Sequence, residues 1–211
     1  MLDIVYSAYQ AENTDVLARI LKLYVRPGAS ILDMCYGRGT FWKNMPDIYE
    51  LWTNDIDKTK PSEYHTDARR SGFPSGYFKA VILDPPYAVR RSGNRGTAGW
   101  RRQEKRGGPS YDSANGRGRA LSAGNIDLYM DCAKEAHRVL AAKGLLIIKA
   151  QDEIECSRFK AHHLTLCSIP GFRLEDIFVV VMKWNPVWDP KWKNQNHARK
   201  NHSYFIVHRK I

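Results

Sequence analysis

Residues 30–40 of the chain are SILDMCYGRGT, an apolar run that leads into a turn with two glycines. The run is short enough for a buried strand, and Gly37 and Gly39 stand at the spacing of a tight turn. Because glycine lets the backbone bend sharply and approach a ligand, the pattern predicts a ligand-binding turn, with an ordinary strand-to-helix turn as the alternative. Trp42 stands where a dinucleotide fingerprint needs its third glycine, and no Gly-Lys-Ser/Thr follows for a phosphate-binding loop.

Strands alternate with helices on both sides of this turn. The alternation predicts an α/β fold with a mainly parallel sheet that helices cover on both faces. The last two strands have no helix between them, which predicts an antiparallel edge strand. The predicted helices cover about residues 13–24, 40–48, 126–140 and 154–167, and the predicted strands about residues 30–34, 51–54, 64–65, 78–83, 145–148, 172–182 and 203–209.

The length of 211 residues fits a single domain over residues 1–211. A segment at about residues 88–125 is rich in glycine and arginine and has no apolar periodicity, which predicts a flexible functional insert, with a disordered solubilising insert as the alternative. The N-terminus lacks the pattern of a signal peptide, and the longest apolar stretch is too short to span a bilayer. We therefore expect a soluble intracellular protein of the cytoplasm that does not bind a membrane.

The formal net charge is +11, and lysine and arginine concentrate in residues 90–119 and 183–210. Such charge favours polyanionic partners because each neutralised phosphate releases counterions, although a merely basic soluble surface has the same composition. The second region contains Trp184, Trp188 and Trp192, which suit either base stacking or a core or subunit interface. In the insert, the candidate nucleic-acid contacts are Arg90, Arg91, Arg101, Arg102, Lys105 and Arg106.

The cysteines predict no metal site. They are Cys35, Cys132, Cys156 and Cys167, and they form neither a CxxC pair nor a zinc-finger spacing with histidine. Buried thiols are expected instead of a disulfide framework.

Carboxylates follow three predicted strands, at the edge where an open parallel sheet binds its ligands. Asp33 ends the first strand, Asp55 follows the second, and Asp67 follows the weak third one. Asp55 can accept hydrogen bonds from both hydroxyl groups of a ribose, and a solvated loop acid is the alternative. Asp67 either contacts an adenine amino group or caps a turn.

The predicted strand at residues 78–83 ends in Asp84-Pro85-Pro86-Tyr87, the most specific motif of the chain. Two prolines remove two backbone donors and fix both φ angles, so the loop presents the Asp84 carboxylate and the Pro85 carbonyl as acceptors. The amino group of a base has two hydrogens to donate, and Tyr87 offers a ring on which the base can stack. A proline-rich turn after a strand is the alternative.

Taken together, these motifs resemble the amino-methyltransferases of DNA, a class I family that depends on S-adenosylmethionine and has a Rossmann-like fold. Residues 33–40 are similar to the family's cofactor loop, and Asp84 to Tyr87 match the catalytic motif of its N6-adenine branch. Residues 128–149 are similar to the later helix–strand unit, so the resemblance covers nearly the whole chain. It implies S-adenosylmethionine as the cofactor, bound by Asp33, Cys35, Gly37, Gly39, Asp55 and Asp67.

The sequence departs from the family pattern in three respects. Cys35 stands where the family usually has phenylalanine, and Tyr36 where it has a small residue. Residues 57–63 are too few for the usual crossover helix between the second and third strands. No separate target-recognition domain follows the catalytic motif.

The resemblance implies methyl transfer to an exocyclic amino group of a nucleic-acid base, with adenine N6 in DNA favoured. One alternative is an RNA methyltransferase that acts on adenine N6 or guanine N2. Another is a catalytically silent nucleic-acid-binding subunit with the same fold. DNA is thus the favoured partner and RNA the alternative, and a protein partner or a homo-oligomer stays open.

Overall fold

A computed structural model describes residues 4–43, 45–85, 122–155, 158–183, 194–198 and 200–211. Helices and strands alternate through most of these residues, as the sequence predicted. In chain order, the elements are β1 (Ala8–Gln10), α1 (Asn13–Tyr24), β2 (Ser30–Asp33), a 3₁₀ turn (Thr40–Trp42), β3 (Glu50–Thr53), β4 (Phe78–Leu83), α2 (Ser122–Val139), β5 (Leu140–Ala150), β6 (Glu153–Glu155), β7 (Arg158–Lys160), α3 (His162–Leu166), β8 (Phe172–Val181) and β9 (His202–Lys210).

Seven strands form one sheet in the order β1-β8-β9-β5-β4-β2-β3. Strand β9 runs antiparallel to both of its neighbours, and the other neighbouring pairs are parallel. The predicted mainly parallel α/β sheet with antiparallel pairing toward one edge is therefore confirmed. The short strand β1, which the sequence did not predict, lies at that edge beside β8.

Each face of the sheet carries its own apolar core. On one face, α1 buries Val16, Leu17 and Ile20, and Ile20 lies four and three residues after the other two, on the same side of the helix. On the other face, α2 packs through Cys132 and Ala136 among others. The apolar strand residues between the two helices are fully covered, as in sheets with helices on both faces.

The helix predicted at residues 40–48 is wrong. Only Thr40–Trp42 forms a turn of 3₁₀ helix, and Lys43 then takes an extended conformation with φ −61° and ψ 130°. Pro46 cannot donate a backbone hydrogen bond and disfavours a helical conformation at the residue before it. In addition, Trp42 Nε1 donates to Asp33 Oδ2 at 2.7 Å, which holds the short turn against the end of β2.

The helix predicted at residues 154–167 is also wrong. Ile154 pairs with Phe159 in the antiparallel hairpin of β6 and β7, and only His162–Leu166 is helical. Asp152 stabilises the start of that short helix, because its Oδ1 accepts the backbone N–H of His163 at 3.2 Å. The apolar residues of this stretch therefore belong to two different elements.

The weak third strand is reduced to an isolated parallel bridge between Asn54 and Tyr64. Its short connection is consistent with the few residues that the sequence provides between Asp57 and Glu63. The insert predicted up to residue 125 ends earlier, since α2 begins at Ser122. Among the described residues, no helix is long and apolar enough to cross a membrane.

Candidate active site

The carboxyl ends of β2, β3 and β4 lie side by side at one edge of the sheet. Both β3 and β4 pair in parallel with β2, through Thr53 and Ile82 opposite Asp33. Asp33 ends β2, Asp55 comes shortly after β3, and Asp84 follows β4 directly. The fold thus brings three of the predicted site residues to one edge, which we call the carboxyl edge.

The glycine turn after β2 is held against Asp55. The Gly37 backbone N–H donates to Asp55 Oδ2 at 2.8 Å, and the Asp57 N–H donates to Oδ1 of the same carboxylate at 2.8 Å. Gly37 and Gly39 have φ values of 60° and 67°, in the left-handed region that glycine occupies without strain. A Cβ at Gly39 would lie 2.5 Å from the Tyr36 hydroxyl oxygen, so this tight turn needs glycine there.

Asp33 is 2% exposed and holds the base of the same turn. Its Oδ1 accepts the Cys35 backbone N–H at 3.1 Å, and its Oδ2 accepts Trp42 Nε1. Burial raises the pKa of Asp33 from 3.8 to about 7, the two hydrogen bonds act against that rise, and the carboxylates of Asp84 and Asp55 add to it. Within the turn, Asp33 therefore has a structural function, and direct contact with a ligand remains a prediction.

Asp84 is half-buried and Pro85 is buried at the end of β4. Burial raises the pKa values of Asp33 and Tyr129, and the negative charge of Asp84 raises them further. Burial lowers the pKa of Lys149, and the same negative charge opposes that decrease. These four ionisable groups therefore lie close together at the carboxyl edge. The other half of the predicted motif, Pro86 and Tyr87, lies outside the described residues.

Asn54 is a buried residue at this edge that the sequence did not single out. Its Nδ2 donates to the Met34 carbonyl at 3.2 Å and to the Thr66 carbonyl at 3.0 Å, while its Oδ1 accepts the Thr66 backbone N–H at 2.9 Å. A single amide therefore ties the glycine turn to the segment before Asp67. A polar residue that directly follows a buried strand is the sequence signal that could have found it.

Lys149 is the second residue that the sequence did not single out. It is 1% exposed near the end of β5, where its ammonium group contacts Ser203 Oγ and lies 4.5 Å from the centre of the Phe205 ring. Its carbonyl accepts the Tyr129 hydroxyl at 2.8 Å. A charged residue in the apolar run LLIIKA was the available signal.

Asp67 forms an ion pair with Arg69. Arg69 Nη2 lies 2.5 Å from Asp67 Oδ2, and the Arg69 backbone N–H donates to Oδ1 at 2.9 Å. Burial acts to raise the pKa of Asp67, but the bonds from Arg69 outweigh it and the pKa lies below its ordinary value. This geometry fits the predicted turn cap, and a contact with adenine remains a prediction.

The predicted nucleic-acid contacts lie outside the described residues, as do the three tail tryptophans. As for a metal site, the described part of the chain contains no group of three or more histidine, cysteine, aspartate or glutamate side chains that could hold a metal ion. Cys35, Cys132 and Cys167 form no disulfide among the described residues, and Cys156 lies outside them. The predicted nucleic-acid contacts that lie there are Arg90, Arg91, Arg101, Arg102, Lys105 and Arg106.

No protein-family model matches the sequence, and no curated protein matches it. Solved structures do resemble the fold. TrmN from Thermus thermophilus superposes with a TM-score of 0.54 at 18% identity, over 93% of this chain and 48% of TrmN, so the chain spans about half the length of that protein. An S-adenosylmethionine-dependent methyltransferase from Methanosarcina mazei gives a TM-score of 0.53 at 10% identity, over 91% of this chain and 97% of its own.

A third similar structure is the N-methyltransferase NodS from Bradyrhizobium japonicum in complex with S-adenosyl-L-homocysteine. Its TM-score is 0.54 at 9% identity, over 94% of this chain and 85% of NodS. At these identities the similarity concerns the fold alone. The chain therefore has the Rossmann-like fold of class I methyltransferases, with a mostly parallel seven-stranded sheet and antiparallel pairing of β8 with β9.

Proposed function

We propose that the chain is an S-adenosylmethionine-dependent methyltransferase that modifies the exocyclic amino group of a nucleic-acid base, with adenine N6 in DNA as its target. One observation carries the proposal. Asp84 and Pro85 end β4 at the same edge of the sheet as Asp55 and the glycine turn. A methyl donor and an amino acceptor bound at these two places would be neighbours.

The residues around the glycine turn fit an adenosyl cofactor. Each oxygen of the Asp55 carboxylate accepts one backbone N–H and can accept a second hydrogen bond, as ribose hydroxyls require. The two glycines in the left-handed conformation keep side chains away from the backbone of the turn. When bound, S-adenosylmethionine supplies an activated methyl group on a positively charged sulfur, and the carboxylates at the edge favour that charge.

Asp84 and Pro85 would orient the acceptor. The carboxylate and the Pro85 carbonyl each accept one hydrogen of the base amino group, which directs the nitrogen lone pair outward. Their half-buried and buried positions strengthen these electrostatic interactions compared with water. The nitrogen becomes acidic only after it is methylated, so Asp84 need not be a strong base. Tyr87 would stack on the base, which has left its helix or comes from a single strand.

The charge of the chain supports a nucleic acid rather than a small molecule as the substrate. The net charge of +11 includes the cations of the insert, which begins directly after Tyr87. Cations beside the catalytic motif can contact phosphates while the base enters the site. The insert would then contact the sugar-phosphate backbone of the nucleic acid, and the carboxyl edge would bind the base.

The product of the reaction tests the proposal. Purified protein is incubated with S-adenosylmethionine and either unmethylated DNA or RNA, and the nucleic acid is then digested to nucleosides for mass analysis. We expect N6-methyldeoxyadenosine from DNA. Methylated adenosine or guanosine from RNA alone would replace the DNA assignment with the RNA alternative.

Two variants make this result specific. Asp84→Ala should form the product far more slowly, whereas Asp47→Asn should form it at the wild-type rate, because the exposed Asp47 lies at the opposite end of β3. If no product forms, titration calorimetry with S-adenosylmethionine decides what has failed. A protein that does not bind the cofactor but still binds nucleic acid would be the silent nucleic-acid-binding subunit.

A further inference from the structure

Lys149 is the one buried lysine or arginine in the part of the chain that the structure describes. Aliphatic side chains surround it in β5, and its ammonium contacts Ser203 Oγ on β9. Burial lowers the pKa of Lys149 from 10.5 to about 8, and the carboxylate of Asp84 opposes this effect. Such a burial costs stability unless the charge is compensated, and an apolar side chain of the same size would avoid the cost.

The register of the sheet identifies the compensating partner. Leu83 of β4 pairs with Ile148 of β5 in the parallel ladder. Asp84 directly follows β4 and Lys149 follows Ile148 within β5, and the effect of the Asp84 carboxylate on the pKa of Lys149 is consistent with the two lying next to each other at the carboxyl edge. Side chains at equivalent positions of adjacent parallel strands point to the same face. The ammonium and the carboxylate therefore share a face of the sheet.

Lys149 is held in a fixed place on that face. The Phe205 ring lies 4.5 Å from the ammonium, and the Tyr129 hydroxyl binds the Lys149 carbonyl. Among the ionisable groups at the carboxyl edge, the Asp84 carboxylate is the one that acts on the Lys149 ammonium, and Asp84 also acts on Asp33 and Tyr129. The residue next to Lys149 in register therefore makes the surroundings of the ammonium negative.

We propose that Lys149 is a positioning residue that holds the Asp84 carboxylate ionised and oriented to accept a hydrogen of the substrate amino group. The inference rests on the proposed function, because it assigns the partner through which Asp84 acts there. Lys149 stays protonated throughout and transfers no proton. It acts on the substrate only through Asp84.

Lys149→Met is the direct test, since methionine nearly preserves the length of the side chain and removes the charge. We expect kcat to fall about ten- to a hundred-fold, the range known for the loss of outer partners that orient metal-ligating side chains. The Kd for S-adenosylmethionine should not change, and a melting curve checks that the variant is folded. Lys134→Met is the matched control, because Lys134 is exposed on α2 and pairs only with Asp131 among the described contacts.

A double variant separates positioning from a purely structural role. If Lys149 acts through Asp84, then Asp84→Ala/Lys149→Met should be no slower than Asp84→Ala alone. Independent effects that multiply in the double variant would overturn the inference, as would a wild-type kcat in folded Lys149→Met. If Lys149→Met does not fold, Ser203→Ala replaces it, with a smaller loss of kcat expected and an unchanged kcat contradicting the inference.

A readout that needs no activity keeps this inference distinct from the proposed function. Carboxyl NMR follows the titration of Asp84, identified by its loss in Asp84→Ala. Without the neighbouring ammonium, the titration midpoint of Asp84 should move to higher pH in Lys149→Met and stay in place in Lys134→Met. An unmoved midpoint would refute the pairing even if the wild type methylates DNA. A wild type without methyltransferase activity would refute the proposed function, while a moved midpoint would still support the pairing.

Discussion

Replacement of Asp33 by asparagine should change how the stability of the protein depends on pH. In the folded chain, burial raises the pKa of this carboxyl from 3.8 to about 7. Below pH 3.8, Asp33 is protonated in both the folded and the unfolded chain, so its ionisation does not lower the free energy of unfolding. Between pH 3.8 and 7, the unfolded chain loses the proton and the folded chain keeps it, which favours unfolding as the pH rises.

The size of the effect follows from the pKa difference. Each pH unit between the two pKa values costs about 1.4 kcal/mol of unfolding free energy, which gives about 4 kcal/mol above pH 7. Asparagine has no such titration, but it has one carbonyl oxygen for the two donors Cys35 N–H and Trp42 Nε1. That loss costs roughly 1–3 kcal/mol at every pH. The stability of Asp33→Asn relative to wild type should therefore rise by about 3 kcal/mol from pH 5 to pH 8.

Urea unfolding of both proteins at pH 5, 6, 7 and 8 measures this difference. Asp47→Asn is the matched control, because solvent surrounds its carboxyl and its curve should run parallel to that of the wild type. Most of the gain for Asp33→Asn should come between pH 5 and 7, with little above. Parallel stability curves for Asp33→Asn and wild type would refute the reasoning, because they would mean that the buried carboxyl is not held protonated.

Three further predictions concern the proposed function. Asp55→Ala should weaken S-adenosylmethionine binding by roughly 1.5–3 kcal/mol in titration calorimetry, and an unchanged affinity would reject the ribose contact. Asp84→Ala should lower turnover about a hundred- to a thousand-fold without loss of the folded state, and a folded variant with wild-type turnover would contradict the mechanism. Joint neutralisation of four cations in the insert should flatten the salt dependence of DNA binding but spare cofactor affinity; an unchanged salt slope would exclude phosphate contacts by Arg101, Arg102, Lys105 and Arg106.

The sequence predicted the elements whose signals are local. Strands β2 and β4 are short apolar runs bounded by turn residues, and α1 has a regular apolar stripe from Val16 to Leu21. The same signals predicted that Asp33, Asp55 and Asp84 follow parallel strands. Since parallel strands end at a common edge, their proximity could be predicted without knowledge of the strand order.

The two wrong helices arise from side-chain and hairpin contacts, and in the first of them Pro46 was also a local signal against a helix. Residues 40–48 have apolar residues at helical spacing, but Trp42 is bound to Asp33, nine residues before it, and the chain turns extended at Lys43. Residues 154–167 divide into a hairpin and a helix because Ile154 pairs with Phe159. Contacts of this kind override local propensity, and a single sequence does not contain them.

The site residues that the sequence missed depend on register. Lys149 ends an apolar run, and only the pairing of Leu83 with Ile148 brings it beside Asp84. Asn54 follows β3, and its amide connects the Met34 and Thr66 carbonyls, a connection that only the folded structure reveals. Polar residues at the ends of strands are therefore candidate site residues in addition to those of the recognised motifs.

The charge distribution of the chain favours the ligands of the proposed reaction. The chain carries a net charge of +11, yet Asp33, Asp55 and Asp84 meet at the carboxyl edge, where one buried lysine opposes them. A polyanionic backbone is repelled from such an edge, whereas a neutral base is not, and a cationic sulfonium is attracted. With its pKa raised to about 7, Asp33 is poised to lose its proton when a cation binds nearby, so cofactor binding would itself increase the negative charge that holds it. The cations that would attract a nucleic acid are concentrated by the sequence in the insert after Tyr87 and in residues 183–210, outside the three acids of this edge.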